Sequence, residues 1–528
     1  MSSGTEAPEA WGTEIETTVV RGIPYRQYSQ RPRRVESLLR SAHRWGNRPH
    51  LIQGRAELTF ADLITAAEAK AAELRALGLA SGDRVVLLGW NSPQWVTNFW
   101  AVLLSGGVPV LANAWWSDAE LEGALDLVTP RLVLADAAGA KKLNGTWPLG
   151  NWGPVEAHDD DIKEIAQSDD EEAPAAVIFT SGTSGKPKAV LLSHRSLLAG
   201  LHQLLHVSRR LPQQVDESSG DVGLHTGPLF HIGGIQTLLR SVVVGGTLVM
   251  PAGRFDAGEV LELVEKYKIS RWSAVPTMVS RVLDHPDLAT RDVSSLRSIT
   301  VGGAPVHADF LARISEALPV AGARVPTGYG LTENGGQATA ASGRDEADRT
   351  GASGKPLPCV EVSFFAHEGL PDGEILLRSP TQMTEYLGDA ESPIDKEGWL
   401  HTGDLGFLDD EGHLWITGRS KDVIIRGGEN IAPVAVERAL MAIPSVVEVA
   451  VVGVPHPDLG EEVMAFVVVD SDSVTTDDLA AGLRGNIASF AIPSRWQIGM
   501  EPLPTNHTHK VDKNALSVLG AEIASVDR

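Results

Sequence analysis

Between Phe179 and Val190 the stretch FTSGTSGKPKAV places two glycines, four hydroxyl residues and two lysines in twelve positions of a chain whose formal net charge is -23. Glycines let backbone N–H groups approach a ligand, hydroxyls add donors and lysines supply compact positive charge, which together suit a phosphate-type anion that the bulk of the protein would repel. The apolar run AAVIFT before the stretch reads as a strand and HRSLLAGLHQLLHV after it as a helix. The stretch is therefore expected on a strand-to-helix loop, where phosphates meet helix N-termini. The nucleotide-triphosphatase spacing G-x-x-x-x-G-K-[ST] is not met, because Gly182 and Gly185 are three apart and Lys186 precedes Pro187. Taken alone, the stretch also admits an ordinary Gly/Ser-rich surface loop.

The elements that must position this loop follow from the pattern around it. A chain of 528 residues is too long for one compact core and implies a large domain with at least one smaller one. Strand and helix patterns alternate early: LTFADLITAAEAKAAELRALG is helical with a glycine stop, DRVVLLGW a buried strand, SPQWVTNFWAVLLSGG a helix and VPVLANA a strand. The alternation continues through GGTLVMP, AGEVLELVEKYK and SRWSAVP, so doubly wound α/β architecture is expected. From GASGKPLPCVEVSFF to GHLWITG the helices drop out and short strands with Gly/Asp turns predict a β-rich subdomain. VAVERALMAI, VVEVAVVGVP, VMAFVVV and TTDDLAAGLRGNI then read as a small α+β unit. The expected division is a loose, acidic N-terminal tail over residues 1–30, a large domain over 31–418 and a small mobile domain over 419–528.

Hydrophobic residues make up 43% and charged residues 21% of the chain, as in soluble globular proteins, and no apolar run reaches the length of a bilayer span. The polar start MSSGTEAPEAWGTEIETT lacks the features of a secretory signal, and the single cysteine, Cys359, excludes an internal disulfide framework. A reducing, cytoplasmic setting is expected. The acidic balance argues against nucleic acid as a bulk partner.

Several later segments join the first stretch in a resemblance to the adenylate-forming superfamily of acyl-CoA synthetases, nonribosomal adenylation domains and firefly-type luciferases. VGGAPV (301–306) is similar to the family's nucleotide-wall turn, GYGLTENG (328–335) to its adenine and magnesium motif, and GWLHTGDLG (398–406) to its ribose motif. GRSKDVIIRGGENIAPVAVE (418–437) resembles the hinge and start of the C-terminal domain, and PLPTNHTHKVDKNAL (502–516) the lysine loop. The six segments occur in the family's order, and the resemblance runs from about residue 30 to the end. The N-terminal half, with NSPQWV and NAWWSDAEL, looks most like bacterial fatty-acid and lipid-acid CoA ligases.

The resemblance implies that a carboxylate is joined to the α-phosphate of ATP with release of pyrophosphate, and that the acyl group then passes to a thiol. An anion attacks a polyanion, so catalysis should consist mostly of positioning and charge neutralisation. Thr180, Ser181, Gly182, Thr183, Ser184 and Lys188 would hold the β- and γ-phosphates, with Gly303, Ala304 and Pro305 forming the nucleotide wall. Tyr329 and Gly330 would lie against adenine, Thr332 would bond the α-phosphate and Glu333 would coordinate Mg2+, which favours carboxylate and phosphate oxygens. Asp404 would accept from both ribose hydroxyls with Arg419 in support, and Lys510 would bridge the attacking carboxylate and the α-phosphate. Lys421 falls at the hinge, whose rotation would replace Lys510 by the Gly427–Gly428 face that lines the CoA tunnel. His231 would gate the thiol tunnel and, with Gly302 and Gly328, border the acyl pocket.

Taken one at a time, Glu333 reads as a solvated carboxylate, Asp404 as a turn residue, Lys510 as a surface lysine and His231 as a packed loop residue; the ordered set is what assigns them roles. His509 stands where the family has glycine before the lysine, and Asn506 where it has threonine, which bears on the adenylation geometry if the backbone there needs positive φ. Ala189 for glycine and Ser184 for threonine are milder departures. Only a short tail follows the lysine loop, so free CoA is the expected acceptor, with loading of a separate carrier protein and a homodimer left open. The segments around the expected acyl pocket offer no ammonium partner or second-carboxylate partner, so an apolar acid is expected, whether fatty, aryl, isoprenoid or steroid. A weakly active acyl-adenylate binding protein and light-emitting oxygenation are the other readings.

Overall fold

The computed structural model describes residues 11–155, 169–180, 187–216, 220–302, 308–322, 325–341, 351–366, 372–505 and 511–526. Internal contacts divide the chain into two units, Met1–Glu361 with Arg378–Leu400, and Val362–Leu377 with His401–Arg528.

The first unit opens with a hairpin, β1 (Ile15–Val20) and β2 (Ile23–Tyr28), followed by α1 (Glu36–Ser41), β3 (Pro49–Gln53), β4 (Ala56–Thr59) and α2 (Phe60–Ala76). Then come β5 (Arg84–Leu88), α3 (Pro93–Leu104), β6 (Val108–Leu111), α4 (Asp118–Val128), β7 (Leu132–Ala135), α5 (Ala137–Ala140) and β8 (Leu149–Gly150). The chain continues through β9 (Pro174–Thr180), β10 (Lys188–Ser193), α6 (His194–Val207), β11 (Val222–His225), α7 (Ile232–Val244), β12 (Thr247–Met250), α8 (Ala257–Tyr267), β13 (Arg271–Ala274), α9 (Pro276–Leu283) and β14 (Ser298–Val301). After α10 (Ala308–Ala317) and α11 (Pro319–Gly322) it closes with short pairs, β15 (Gly330–Leu331) with β16 (Gly336–Gln337) and β17 (Thr339–Ala340) with β18 (Lys355–Pro356).

Two sheets carry this unit. One has strand order β14-β13-β11-β12-β3-β4, parallel except for the β3–β4 hairpin. The other has order β10-β9-β6-β5-β7-β8, extended past β10 by the two-residue strand Glu385–Tyr386. The strands are apolar on both faces because both faces are covered. In β5, Val85 and Leu87 join the cluster around α2, α3, α6 and α7, which also takes Leu51 of β3 and Met250 of β12, whereas Val86 and Leu88 join the cluster around α4. Trp95, Phe99 and Trp100 of α3 are fully buried in the first cluster, while α8, α9 and α10 cover the outer face of the six-stranded sheet. Caps set the helix starts: Thr59 with Asp62 and Ser117 with Glu120 form reciprocal capping boxes.

The expected helices and strands are found in order, with two corrections. Residues 11–30 do not form a loose tail. Trp11 and Tyr28 are buried, the Tyr28 ring stacks on His202 of α6 at 3.9 Å, and Arg31 Nη2 meets Glu171 Oε1 at 2.6 Å. Their many polar residues hid the aromatic anchors Trp11, Tyr25 and Tyr28. The Gly/Ser/Lys stretch, in turn, does not lie on a strand-to-helix loop, because KAVLLS forms β10, antiparallel to β9 with Thr180 opposite Lys188. The loop is a hairpin connection, and α6 begins only at His194.

The β-rich region begins with β19 (Glu361–Phe365) and β20 (Gly373–Arg378); β21 (Glu385–Tyr386) leaves it to pair with β10 as the edge of the seven-stranded sheet. β22 (Leu400–Leu408) and β23 (Leu414–Arg419) complete a four-stranded sheet in the order β19-β20-β22-β23. Contacts group this sheet with the residues that follow it, whereas the sequence expectation places the division after residue 418. The remainder comprises β24 (Ile424–Arg426), β25 (Glu429–Ile431), α12 (Pro433–Met441), β26 (Val446–His456), β27 (Gly460–Val469), α13 (Thr476–Leu483), β28 (Arg495–Gly499) and α14 (Lys513–Val526). Alternate residues of β26 and β27 again serve two clusters: Val451, Val463 and Val467 pack with α12 and α13, and Val452, Met464 and Phe466 with Leu516 of α14.

Candidate active site

In the first unit the site is built at the ends of β9, β10 and β21. Thr180 closes β9, Lys188 opens β10 opposite it, and Tyr386 of β21 stands opposite Val190. Directly opposed residues share a face and so do residues two apart on one strand, so Thr180, Lys188 and Tyr386 share one face of the sheet. Glu333 reaches that face from a single 3-10 turn, Thr332–Asn334. The Tyr386 hydroxyl donates to Glu333 Oε1 at 2.8 Å, Thr180 Oγ1 lies 3.5 Å from the same oxygen, and Lys188 Nζ sits 4.7 Å from the centre of the Tyr386 ring. Burial first, and then the Glu333 charge, push the Tyr386 phenol well above its ordinary pKa, so it stays a donor.

The turn that carries Thr332 and Glu333 is clamped on several sides. Met383 N–H donates to Glu333 O at 2.9 Å, buried Asn334 accepts from Ser379 Oγ at 3.0 Å, and Gln236 Nε2 of α7 donates to Gly335 O at 3.3 Å. Gly335 and Gly336 have φ of 60° and 114°, and a Cβ on Gly336 would strike the Gln236 amide. Tyr329 is buried, with its N–H on Thr339 Oγ1 at 3.0 Å and its carbonyl accepting from Ala338 at 2.8 Å. Gly328 and Gly330 are backbone-packing positions: an added Cβ would lie 2.5 Å from Thr339 O and 2.3 Å from Gly336 O respectively.

His231 is the N-cap residue of α7, in ring contact with Phe230 at 4.9 Å. Gly302 follows β14, and among the described residues nothing lies within 4 Å of a Cβ placed on it. β11, β13 and β14 are adjacent and parallel, so the loop to His231, the start of α9 and Gly302 all leave the same carboxyl edge of the sheet, the usual ligand edge of such folds.

In the second unit Asp404 of β22 pairs across to Arg419 of β23, with Arg419 Nε 2.8 Å from Asp404 Oδ1. Asp404 is buried and its N–H donates to Thr402 Oγ1 at 3.1 Å. Glu374 holds the same turn, accepting from Gly403 N–H at 2.8 Å and lying 3.1 Å from His401 Nδ1. Lys421 is exposed within the short turn Ser420–Asp422 that follows β23. Gly427 and Gly428 form the two-residue turn between β24 and β25, with φ of 59° and 90°, so hairpin geometry alone favours glycine at both.

Ser181, Gly182, Thr183, Ser184, Gly303, Ala304, Pro305 and Lys510, together with Asn506 and His509, lie outside the described residues. The flanks of the lysine loop are joined by a Thr505–Val511 bridge and by Asp512 N–H on Pro504 O at 2.8 Å. The sequence reading missed Tyr386, Gln236 and Glu374. Nothing local marks them, because each acts on a residue brought to it by strand or helix packing.

The donor set suits a magnesium nucleotide. Among the described residues both partners of the Glu333 carboxylate are on Oε1, which leaves Oε2 for a cation, and the hairpin beside it begins and ends with a hydroxyl and an ammonium. Residues 38–387 match the family model described as AMP-binding enzyme, and residues 435–510 match that of the AMP-binding enzyme C-terminal domain. The chain belongs to the AMP-binding enzyme family. Its relatives include a feruloyl-CoA synthase from Amycolatopsis sp, 32% identical over 476 residues that span 87% of this chain and 93% of the relative. A fatty acid–[acyl-carrier-protein] ligase from Streptomyces coeruleorubidus is 33% identical over 488 residues, 88% of this chain and 92% of that one. Among solved structures, the o-succinylbenzoate coenzyme A synthetase of Bacillus subtilis in complex with ATP and magnesium ion superposes with a TM-score of 0.78 at 29% identity, covering 91% of this chain and 98% of that one. No helix among the described residues of this AMP-binding enzyme is long and apolar enough to cross a membrane.

Proposed function

We propose that this enzyme activates an apolar carboxylic acid as its acyl-adenylate and passes the acyl group to CoA. The activity class is that of an AMP-forming acid–thiol ligase of the acyl-CoA synthetase type, working with ATP, Mg2+ and CoA. The observation that carries the assignment of the site is the convergence of Thr180, Lys188 and Glu333 on one sheet face, although Glu333 lies 153 residues from Thr180 in the chain.

In the first half-reaction a carboxylate oxygen attacks the α-phosphorus, the new C–O–P linkage forms as the α–β phosphoanhydride breaks, and pyrophosphate takes the departing electron pair. Thr180 and Lys188, with Ser181, Gly182, Thr183 and Ser184, hold the β- and γ-phosphates, and Thr332 bonds the α-phosphate. Glu333 would hold Mg2+, which would supply charge neutralisation on the phosphate oxygens. Tyr329 and Gly330 border adenine with Gly303, Ala304 and Pro305, while Asp404 and Arg419 take the ribose and Lys510 bridges the two reacting anions. In the second half-reaction the thiol sulfur attacks the acyl carbon and AMP leaves; Lys421 is the hinge, the Gly427–Gly428 turn borders the CoA path and His231 gates it. Residues 31–418 form the ATP and acyl domain in this reading, and 419–528 the mobile one.

The apolar acid is supported by the carboxyl edge of β13 and β14, where the Gly302 N–H donates to Ala274 O at 3.3 Å and no basic side chain appears among Ser273–Val279. The resemblance to a fatty acid–[acyl-carrier-protein] ligase favours one second reading, transfer to a carrier protein. Pyrophosphate release with Mg-ATP across fatty, aryl and polycyclic acids, with and without CoA, tests both. Acid-dependent release that collapses in Lys510→Ala, with acyl-CoA formed only when CoA is added, is the expected result. Release without thioester formation on CoA supports the carrier reading, and ATP binding with no release for any acid rejects the ligase assignment of this site.

A further inference from the structure

Lys188 and Glu333 carry opposite charges on the same sheet face, yet among the described residues no ion pair joins them. Tyr386 stands between: its ring lies under Lys188 Nζ at 4.7 Å and its hydroxyl donates to Glu333 Oε1 at 2.8 Å. Its place is set by backbone register, because Thr384 N–H donates to Leu191 O and Leu387 N–H to Ala189 O, both at 2.8 Å, so β21 cannot slide along β10 without losing both bonds and the Val190–Tyr386 pairing. The Met383 N–H bond to Glu333 O ties the same segment to the turn that bears the carboxylate. Tyr386 is buried, which fixes its ring as well as its hydroxyl.

We propose that Tyr386 is a positioning residue of the adenylation site: it keeps the Lys188 ammonium and the Glu333 carboxylate from pairing with each other, so that the first stays available to phosphate and the second to Mg2+. A direct ion pair would satisfy both groups and remove both from the ligand. A phenol avoids this because it gives the cation an aromatic face and the anion a neutral donor, and neither contact cancels a charge. The inference rests on the ligase reading above for the roles of Lys188 and Glu333.

The test compares calorimetric titration of the full-length protein with MgATP and with ATP in EDTA, for wild type, Tyr386→Phe and Tyr386→Leu, with thermal unfolding of each. In Tyr386→Phe the ring remains and only the bond to the carboxylate is lost. The preference for MgATP over metal-free ATP is expected to change by about tenfold, the effect of a hydrogen bond to a charged group, while affinity for metal-free ATP stays at the wild-type value. In Tyr386→Leu the spacer is lost, and affinity for metal-free ATP should fall as well because Lys188 turns to Glu333. Pyrophosphate-release kinetics should follow the same split, with the acid KM unchanged in Tyr386→Phe. A wild-type MgATP preference in both variants overturns the proposal and leaves the ligase reading standing, as does a lowered melting temperature with unchanged binding by the folded protein. A wild type that does not distinguish MgATP from metal-free ATP overturns the Mg2+ role of Glu333 itself.

Discussion

Replacing Gly330 by alanine tests whether the turn bearing Thr332 and Glu333 is held by the short β15–β16 ladder. A Cβ there would lie 2.3 Å from Gly336 O, 2.7 Å from Gly336 C and 2.7 Å from Gln337 Cα, all backbone atoms of the opposing strand, so no side-chain rotation relieves the clash. Ordinary contact distances of about 3.5 Å require the two strands to separate by roughly 1 Å, enough to break a hydrogen bond between them. The overpacking should destabilise the unit by about 1–3 kcal/mol. Because the ladder pairs Gly330 with Gln337 and Leu331 with Gly336, the turn between them must move with it. A misplacement of about 1 Å at a positioning element costs about a hundredfold in rate. Acid-dependent pyrophosphate release in Gly330→Ala should therefore fall by about two orders of magnitude, alongside a lower melting temperature. Gly302→Ala is the matched control: among the described residues it meets nothing within 4 Å, and it should leave the melting temperature unchanged while shifting only the ranking of bulky acids. Wild-type kinetics in Gly330→Ala would refute the coupling, and a lowered melting temperature with wild-type kinetics would show that the ladder stabilises the fold without setting the turn.

Asp404→Asn should raise the ATP KM about tenfold with the acid KM unchanged, and should barely move the melting temperature, because the Arg419 partner is 55% exposed and such pairs contribute little to stability; steady-state kinetics with each substrate varied separates the two. Gly428→Ala places a side chain at φ of 90° with no atom of the described residues within 4 Å, so its cost is conformational, about 1–2 kcal/mol. Thioester formation should slow while pyrophosphate release without CoA is kept, which rapid-quench measurement of the two half-reactions can show. Stability should fall in mild acid: burial holds His50, His202 and His225 at a pKa of about 4 and His194 at about 3, against an ordinary 6.5. The Val35 N–H donates to His194 Nδ1 at 3.1 Å, which requires that nitrogen to be unprotonated, so its approach to Glu36 is not an ion pair. A folded pKa below the unfolded one means that the unfolded chain binds more protons between the two values; the stabilisation is complete above about pH 6.5 and is lost as pH falls toward 4. Each histidine contributes up to about 1.4 kcal/mol per pH unit in that window, so unfolding midpoints measured from pH 7 to 4 should drop steeply, and a flat profile would reject the neutral-histidine assignment.

What the sequence made legible here, and what it did not, divides by the range of the interaction involved. The helical run His194–Val207 and the strands around it follow from apolar periodicity and local stops, which are properties of neighbouring residues. The motifs place Asp404 and Arg419 at one site, and the structure joins them across one hairpin. By contrast, KAVLLS is six residues long and follows a Gly/Lys-rich run, so nothing local distinguished a strand from a loop, and only its ladder to β9 shows that the glycine stretch connects two strands. Tyr386 was less accessible still. Its neighbours in TEYLG point to no chemistry, and its relation to Lys188 and Glu333 arises from a pairing across 196 positions, Val190 with Tyr386, that no periodicity encodes. The glycines at 328 and 330 belong to the nucleotide motif and also meet a packing demand that the motif does not express. A motif names the residues that surround a ligand but not the packing that shapes them, and at both positions the nearest obstacle to a Cβ is the protein backbone.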